Sequence, residues 1–299
     1  MTRPACFVTT IDLKHAEKLQ SDLKEQGFVL AQGPYMVFQA KKKGVSCTLY
    51  ESGKLTVQGK EKDDFITYYL EPELLKTFAY SYPEIAIDVT PRIGVDEAGK
   101  GDVFGPLCIC ALYADQQAIE TLIQLGIKDS KKLTDRVIKK HAKVIKQHCN
   151  YHLVELFPSR YNALYNRFQN LNHMLAWGHA TALEELLQEV NCRKVVIDQF
   201  AAEHVVESAV AKKNLSIDLK QRYRGEEDIV VAAASILARA AFVDAIDRLS
   251  TTYDLLLPKG ASKEVRAALQ LFYHKHGKEA LTKVAKLHFK TIRELIDQG

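Results

Sequence analysis

"RIGVDEAGKGDVFGPLCICALYA", Arg92 to Ala114, decides how this chain is read. "RIGVDE" and "PLCICALYA" are strand-like runs, close enough together to form an antiparallel pair. The same stretch holds Gly94, four residues, then Gly99 and Lys100, the spacing of a phosphate-cradling loop. Gly101, however, stands where that loop needs a Ser or Thr to hold magnesium. Asp96 and Glu97 lie inside the would-be cradle, and two carboxylates there would repel an incoming phosphate at short range. A nucleotide-hydrolysing loop is therefore set aside for a site that takes a hard divalent cation, whose natural ligands are carboxylates. Leaving the strand at Glu97 would turn both acids toward one ion, since strand neighbours otherwise point to opposite faces.

Such a site needs further oxygen ligands. Asp198 ends the strand-like run "RKVVID" and would join Asp96 and Glu97 at one sheet edge if the two strands are neighbours. A fourth acid comes from "RGEED", as Glu226 or Asp228, just ahead of the small-residue helix "DIVVAAASILARAAFVDAIDRL". So much negative charge invites two divalent ions, the arrangement that activates a water and stabilises the leaving oxygen in phosphodiester cleavage.

The remainder of the 299-residue chain frames this site. A hydrophobic content of 47% and a charged content of 26% suit a globular protein with a large core. The six cysteines form no C-x-x-C pair, which argues against disulfides and a zinc site and for a reducing, cytoplasmic setting. No apolar run suggests a membrane span, and the first fifteen residues lack a signal peptide's apolar region. Residues 11–26 have helical spacing with Gly27 as the stop, and 35–60 read as three short strands turning at Lys43–Gly44 and Ser52–Gly53. A second helix follows over 63–79, broken or kinked at Pro72. The expected organisation is a small α+β unit over 1–82, a linker over 83–91, and a mixed sheet flanked by helices over 92–299. From Lys259 onward, nine Lys/Arg face four acids, a balance that suits a polyanion. Lys42 and Lys43, in the turn "AKKKG", lie on the rim of the small unit and suit phosphate contacts.

Several other residues have plainer readings. His173, His179 and Trp177 share one helix without H-E-x-x-H spacing, so no zinc site is expected. Ser235 is a packing residue, with no G-x-S-x-G elbow around it. Asp102 is a partner of the acids or a turn residue.

"GVDEAGKGDVFGP", "DSKKLT", "VVIDQF" and "VAAASILAR", in that order, resemble the type 2 ribonuclease H family. The N-terminal extension, "LPKGAS" and "KVAKLHFKTI" resemble its ribonuclease HIII branch. The resemblance implies an RNase H-like fold with a TATA-binding-protein-like substrate domain in front. It further implies a monomeric, Mg²⁺- or Mn²⁺-dependent endonuclease cutting the RNA strand of RNA–DNA hybrids, leaving 5′-phosphate and 3′-hydroxyl ends. A non-catalytic hybrid-binding protein is the alternative.

By this resemblance Asp96, Glu97 and Asp198 match metal-binding acids. Gly99, Lys100 and Gly101 match a loop that contacts the ribose 2′-OH, and Ser130, Lys131 and Lys132 match a phosphate-contacting loop. The family's fourth acid follows Lys-Ala. Glu226 fits if Arg224–Gly225 replaces that pair, and Asp228 fits if the loop is shortened; Glu226 is preferred. The family's junction-reading Tyr has no match in "PKGASKEV", which argues against strict junction specificity.

Overall fold

The structure, a computed structural model, describes residues 5–75, 80, 88–127, 133–223 and 225–297, with the backbone alone at Glu226 and Asp297. The chain forms two compact units, Met1–Asp88 and Val89–Gly299.

The first unit is an antiparallel sheet of β1 (Cys6–Thr10), β2 (Val29–Gly33), β3 (Met36–Lys42), β4 (Val45–Tyr50) and β5 (Lys54–Gln58), in the order β1-β5-β4-β3-β2. β3 to β5 are the three expected strands; β1 and β2 are additional and form the two edges. In β5, Leu55 and Val57 are buried while Lys54 and Gln58 are exposed, the period-two pattern of a sheet with one covered face. Leu19 and Leu23 of α1 (Ala16–Glu25), one helical turn apart, share a core with Phe38, Leu49, Leu55 and Val57. α2 (Lys62–Phe65) continues into wide π-helical turns over Ile66–Leu75, with Pro72 inside them rather than ending them.

The second unit is a mixed sheet in the order β10-β9-β6-β7-β8. It comprises β6 (Arg92–Ala98), β7 (Leu107–Ala114), β8 (Asn150–Leu156), β9 (Lys194–Asp198) and β10 (Asp218–Arg222). β10, β9 and β6 run parallel, and β6, β7 and β8 run antiparallel. β7 is an inner strand, apolar throughout because both its faces are covered. Cys108, Cys110 and Leu112 join the core around α8 (Ile229–Thr252), with α3 (Gln116–Gln124), α4 (Asp135–His148), α9 (Lys263–Val284) and α10 (Lys290–Asp297). Leu107, Ile109 and Ala111 join the opposite core with α5 (Pro158–Phe168), α6 (Leu171–Leu186) and α7 (Glu203–Lys212).

α8 lies across β6 in backbone contact. A Cβ on Gly94 would fall 2.5 Å from the Val230 carbonyl carbon, so the small-residue pattern of this helix is a packing requirement. Against the expectation that no apolar run suggests a membrane span, α8 is long and apolar enough to cross one, the one such helix among the described residues, but it is mostly buried in the core.

Candidate active site

Pairing of Val95 with Ile197 in the parallel β6–β9 ladder sets Asp96 and Asp198 level at the C-terminal ends of neighbouring strands. β6 does not end at Glu97, as expected, but runs on to Ala98, with Glu97 paired to Ile109. The two acids therefore alternate in direction. Asp96, opposite Cys110, turns toward α8 and hydrogen-bonds Ser235. Glu97 turns toward α6, where its Oε2 accepts from His179 Nε2 at 3.0 Å.

These acids open into one cleft of about 570 Å³, lined by Asp96, Glu97, Asp198, Ser235 and Arg239 together with the Gly99–Lys100–Gly101 loop, Phe200 and Lys259. The loop's geometry follows from its glycines. Gly99 has φ +88°, and a Cβ there would lie 2.3 Å from the Pro106 carbonyl oxygen, so only glycine makes this turn. Nothing lies within 4 Å of a Cβ at Gly101, whose outer side stays open for a ligand to approach the backbone. Lys100 reaches back to Glu97 Oε1, at 3.6 Å, and over the Phe200 ring.

The electrostatics are lopsided. Burial, then the Glu97 carboxylate and more weakly Asp198, push Asp96 up to about 8, against hydrogen bonds from Ser235 and the Glu97 N–H. Burial alone would raise Glu97 as well, but His179 and Lys100 outweigh it and hold Glu97 below the usual carboxylate range. Asp198 Oδ1 accepts from the Gly225 N–H at 2.7 Å. A Cβ on Gly225 would lie 2.6 Å from the Asp198 Cα, so the glycine of "RGEED" is what brings this loop against the β9 end.

Among the described residues, no three His, Cys, Asp or Glu side chains close into a metal cage. The donor chemistry nevertheless fits a divalent cation. Three carboxylates sit within electrostatic reach of one another, and the charges that bear most on Asp96 are those of Glu97 and Asp198.

The two candidates for a fourth acid separate. Asp228 does not line the cleft. Its Oδ1 caps α8 at the Val230 N–H, 2.9 Å away, and its Oδ2 accepts from Arg92 Nε at 2.9 Å, in a pair that is almost wholly buried. Glu226 lies in the short 3₁₀ turn Gly225–Glu227, and its side chain falls outside the described residues. Ser130, Lys131 and Lys132 also lie outside them.

In the first unit, Lys43 is exposed, whereas Lys42 donates to the Gln26 carbonyl at 2.9 Å and lies over the Phe28 ring. Lys62, unlike these two, is buried against Asp63 and Tyr80.

Other side chains at the cleft escaped the sequence reading. His179 and Ser235, read as ordinary helix residues, each hold one of the paired acids. Asp102 Oδ1 accepts from the Gly260 N–H, tying the glycine loop to the "PKGAS" segment. Lys286, one of the nine basic residues assigned to a polyanion, is fully buried. Its ammonium donates to the carbonyls of Asp102 at 2.8 Å and Gly105 at 2.7 Å, and so fastens the segment after the glycine loop to the C-terminal core. Burial pulls this lysine down to about 7. Other members of the basic set are ion-paired, Lys275 to Asp254 and Arg266 to Glu294, which weakens a purely polyanion-facing reading.

Residues 93–292 match the family model of ribonuclease HII. A relative from Protochlamydia amoebophila named ribonuclease HIII is 51% identical, with 97% of this chain and 96% of that protein covered. The chain belongs to the ribonuclease HIII family. It is accordingly a metal-dependent ribonuclease. Ribonuclease HIII of Chlamydia felis is 47% identical over 98% of both chains. Among solved structures, Bst-RNase HIII in complex with Mn²⁺ superposes with a TM-score of 0.69 at 28% identity, covering 98% of each chain. Residues 6–80 match a domain family of unknown function.

Proposed function

We propose that this ribonuclease HIII relative hydrolyses the RNA strand of RNA–DNA hybrids by metal-assisted attack of water, leaving 5′-phosphate and 3′-hydroxyl ends. The observation that carries the reading is the level placement of Asp96 and Asp198 on adjacent parallel strands, with Glu97 beside them, in a cleft rimmed by Lys100, Arg239 and Lys259. Asp96, Glu97 and Asp198 would hold Mg²⁺ or Mn²⁺, with Glu226 as the fourth acid, since Asp228 is committed to Arg92. When bound, such ions lower the pKa of water and stabilise the leaving 3′ oxygen.

The protein's own groups do the rest. Lys100, Arg239 and Lys259 supply positive charge for the phosphodiester, Lys100 while bridged to Glu97 and the other two while bridged to Asp135. The open backbone at Gly101 offers close contact to a ribose, and 2′-OH contacts are what tell RNA from DNA. Residues 1–82, with the exposed Lys43 on their rim, supply hybrid affinity. The test is cleavage mapping on a full hybrid, a four-ribonucleotide patch and a single ribonucleotide in duplex DNA. Metal-dependent cuts in the first two support the reading, whereas binding without hydrolysis by folded protein leaves a hybrid-binding module.

A further inference from the structure

His179 has no surface to serve. It is fully buried on α6, in the apolar cluster that contains Leu175, Ala176, Ala182 and Leu183. A buried imidazole costs free energy unless its nitrogens are hydrogen-bonded, and an aliphatic side chain would pack here at less cost. Among the described residues its buried Nδ1 has no partner, and Nε2 makes the ring's polar contact, 3.0 Å from Glu97 Oε2. Nε2 is the donor, because an ionised carboxylate has no hydrogen to give. The ring is held in place by Phe200, whose centroid lies 4.7 Å away at a tilt of 55°.

Glu97 is thus held from two sides by unequal partners. Lys100, on Oε1, is about one-third exposed on a flexible stem, whereas His179, on Oε2, is locked in the core. We propose that His179 is a positioning residue: its Nε2–H fixes the Glu97 carboxylate in the cleft in the orientation used to hold a divalent cation. The inference rests on the reading of Glu97 as a metal ligand. Carboxylates that hold metals are commonly set by such outer hydrogen bonds, and losing one typically costs about 10- to 100-fold in metal affinity.

The experiment is Mn²⁺ titration of the full chain without nucleic acid, followed by the electron paramagnetic resonance of free Mn²⁺. His179→Leu, which removes the donor, is expected to bind Mn²⁺ about 10- to 100-fold more weakly. His179→Gln, whose amide N–H falls near the Nε2 position, regains most of that affinity. His179→Asn, whose shorter amide reaches only the Nδ1 position, does not. In turnover assays the loss in His179→Leu is expected in kcat at low Mn²⁺, recovering at high Mn²⁺, with the KM for hybrid unchanged.

Glu97→Gln is the control for the underlying reading. If it leaves Mn²⁺ affinity unchanged, Glu97 is not a ligand and the inference falls with that reading. If Glu97→Gln weakens Mn²⁺ but His179→Leu does not, the positioning role alone is wrong. Should the leucine variant fail to fold, equal Mn²⁺ affinity of the glutamine and asparagine variants overturns the role equally well.

Discussion

Asp96→Asn is expected to make the protein more stable and inactive. In the absence of metal, burial and the neighbouring Glu97 and Asp198 raise Asp96 from 3.8 to about 8. Between those two pH values the folded chain holds a proton that the unfolded chain has released, so this group makes stability fall as pH rises through that window. Each pH unit of the window costs at most about 1.4 kcal/mol, giving a ceiling of about 5 kcal/mol at pH 7.5. Asp96 is only partly buried by area, and relaxation and water entry bring the expected cost to about 1–3 kcal/mol. Asparagine keeps the shape and cannot ionise. In metal-free buffer at pH 7.5, urea denaturation of the second unit is therefore expected to show the variant more stable by about 1–3 kcal/mol, the gap closing toward pH 4. Mn²⁺ at 100 times its Kd should then add about 2.7 kcal/mol to the parent and much less to the variant, whose turnover is lost while hybrid binding persists. A variant that is less stable than the parent at pH 7.5, or a gap that does not change with pH, refutes the electrostatic account. Equal stabilisation of both proteins by Mn²⁺ removes Asp96 from the metal site.

Asp228→Asn removes the carboxylate charge that faces buried Arg92 and weakens the α8 cap, so it should destabilise the second unit by about 3–5 kcal/mol in urea denaturation; a loss under 1 kcal/mol would contradict the buried pair. Per folded molecule, Glu226→Gln should depress cleavage far more than Asp228→Asn, and the opposite ranking would transfer the fourth-acid role to Asp228. Deleting residues 1–82 should raise KM for a hybrid strongly and flatten its salt dependence, with a much smaller change in kcat; unchanged KM and salt slope would end the substrate-binding role of that unit. Lys286, lowered to about 7 by burial, is less protonated in the folded than in the unfolded chain from about pH 7 to 10.5, so it makes stability rise with pH there. Lys286→Met should be less stable by about 1–3 kcal/mol, with carbonyls left unpaired, and its stability should climb less steeply between pH 7 and 8.5; parallel slopes would refute this.

The β6–β7 pair and the Asp96–Asp198 juxtaposition were legible because their signals are local. Apolar strands ending in acids declare both their period and their polar terminus. The edge strands β2 and β10 were not legible, because both are exposed or half-buried throughout: "VLAQG" has only a three-residue apolar start and "DLKQR" a single apolar residue, too little to show a strand period. His179 was missed because its partner lies 82 positions away in sequence, and nothing in "LNHMLAWGHA" distinguishes a buried donor from an exposed histidine. Lys286 was read with its charged neighbours, although it sits in the apolar run "VAKLHF", the one sign that its side chain points inward. The direction of Glu97 was misjudged because where a strand ends depends on its ladder partner, here Ile109, and not on the glycines that follow.

The central claim is tested most directly by incubating the full chain with an end-labelled RNA annealed to DNA, with and without Mg²⁺ or Mn²⁺, and resolving the product ends. The account predicts cleavage of the RNA strand alone, only with a divalent ion, leaving 5′-phosphate and 3′-hydroxyl termini. Cleavage that persists in chelator, or products ending in a 2′,3′-cyclic phosphate, in which the RNA's own 2′-OH has displaced water as nucleophile, would contradict it.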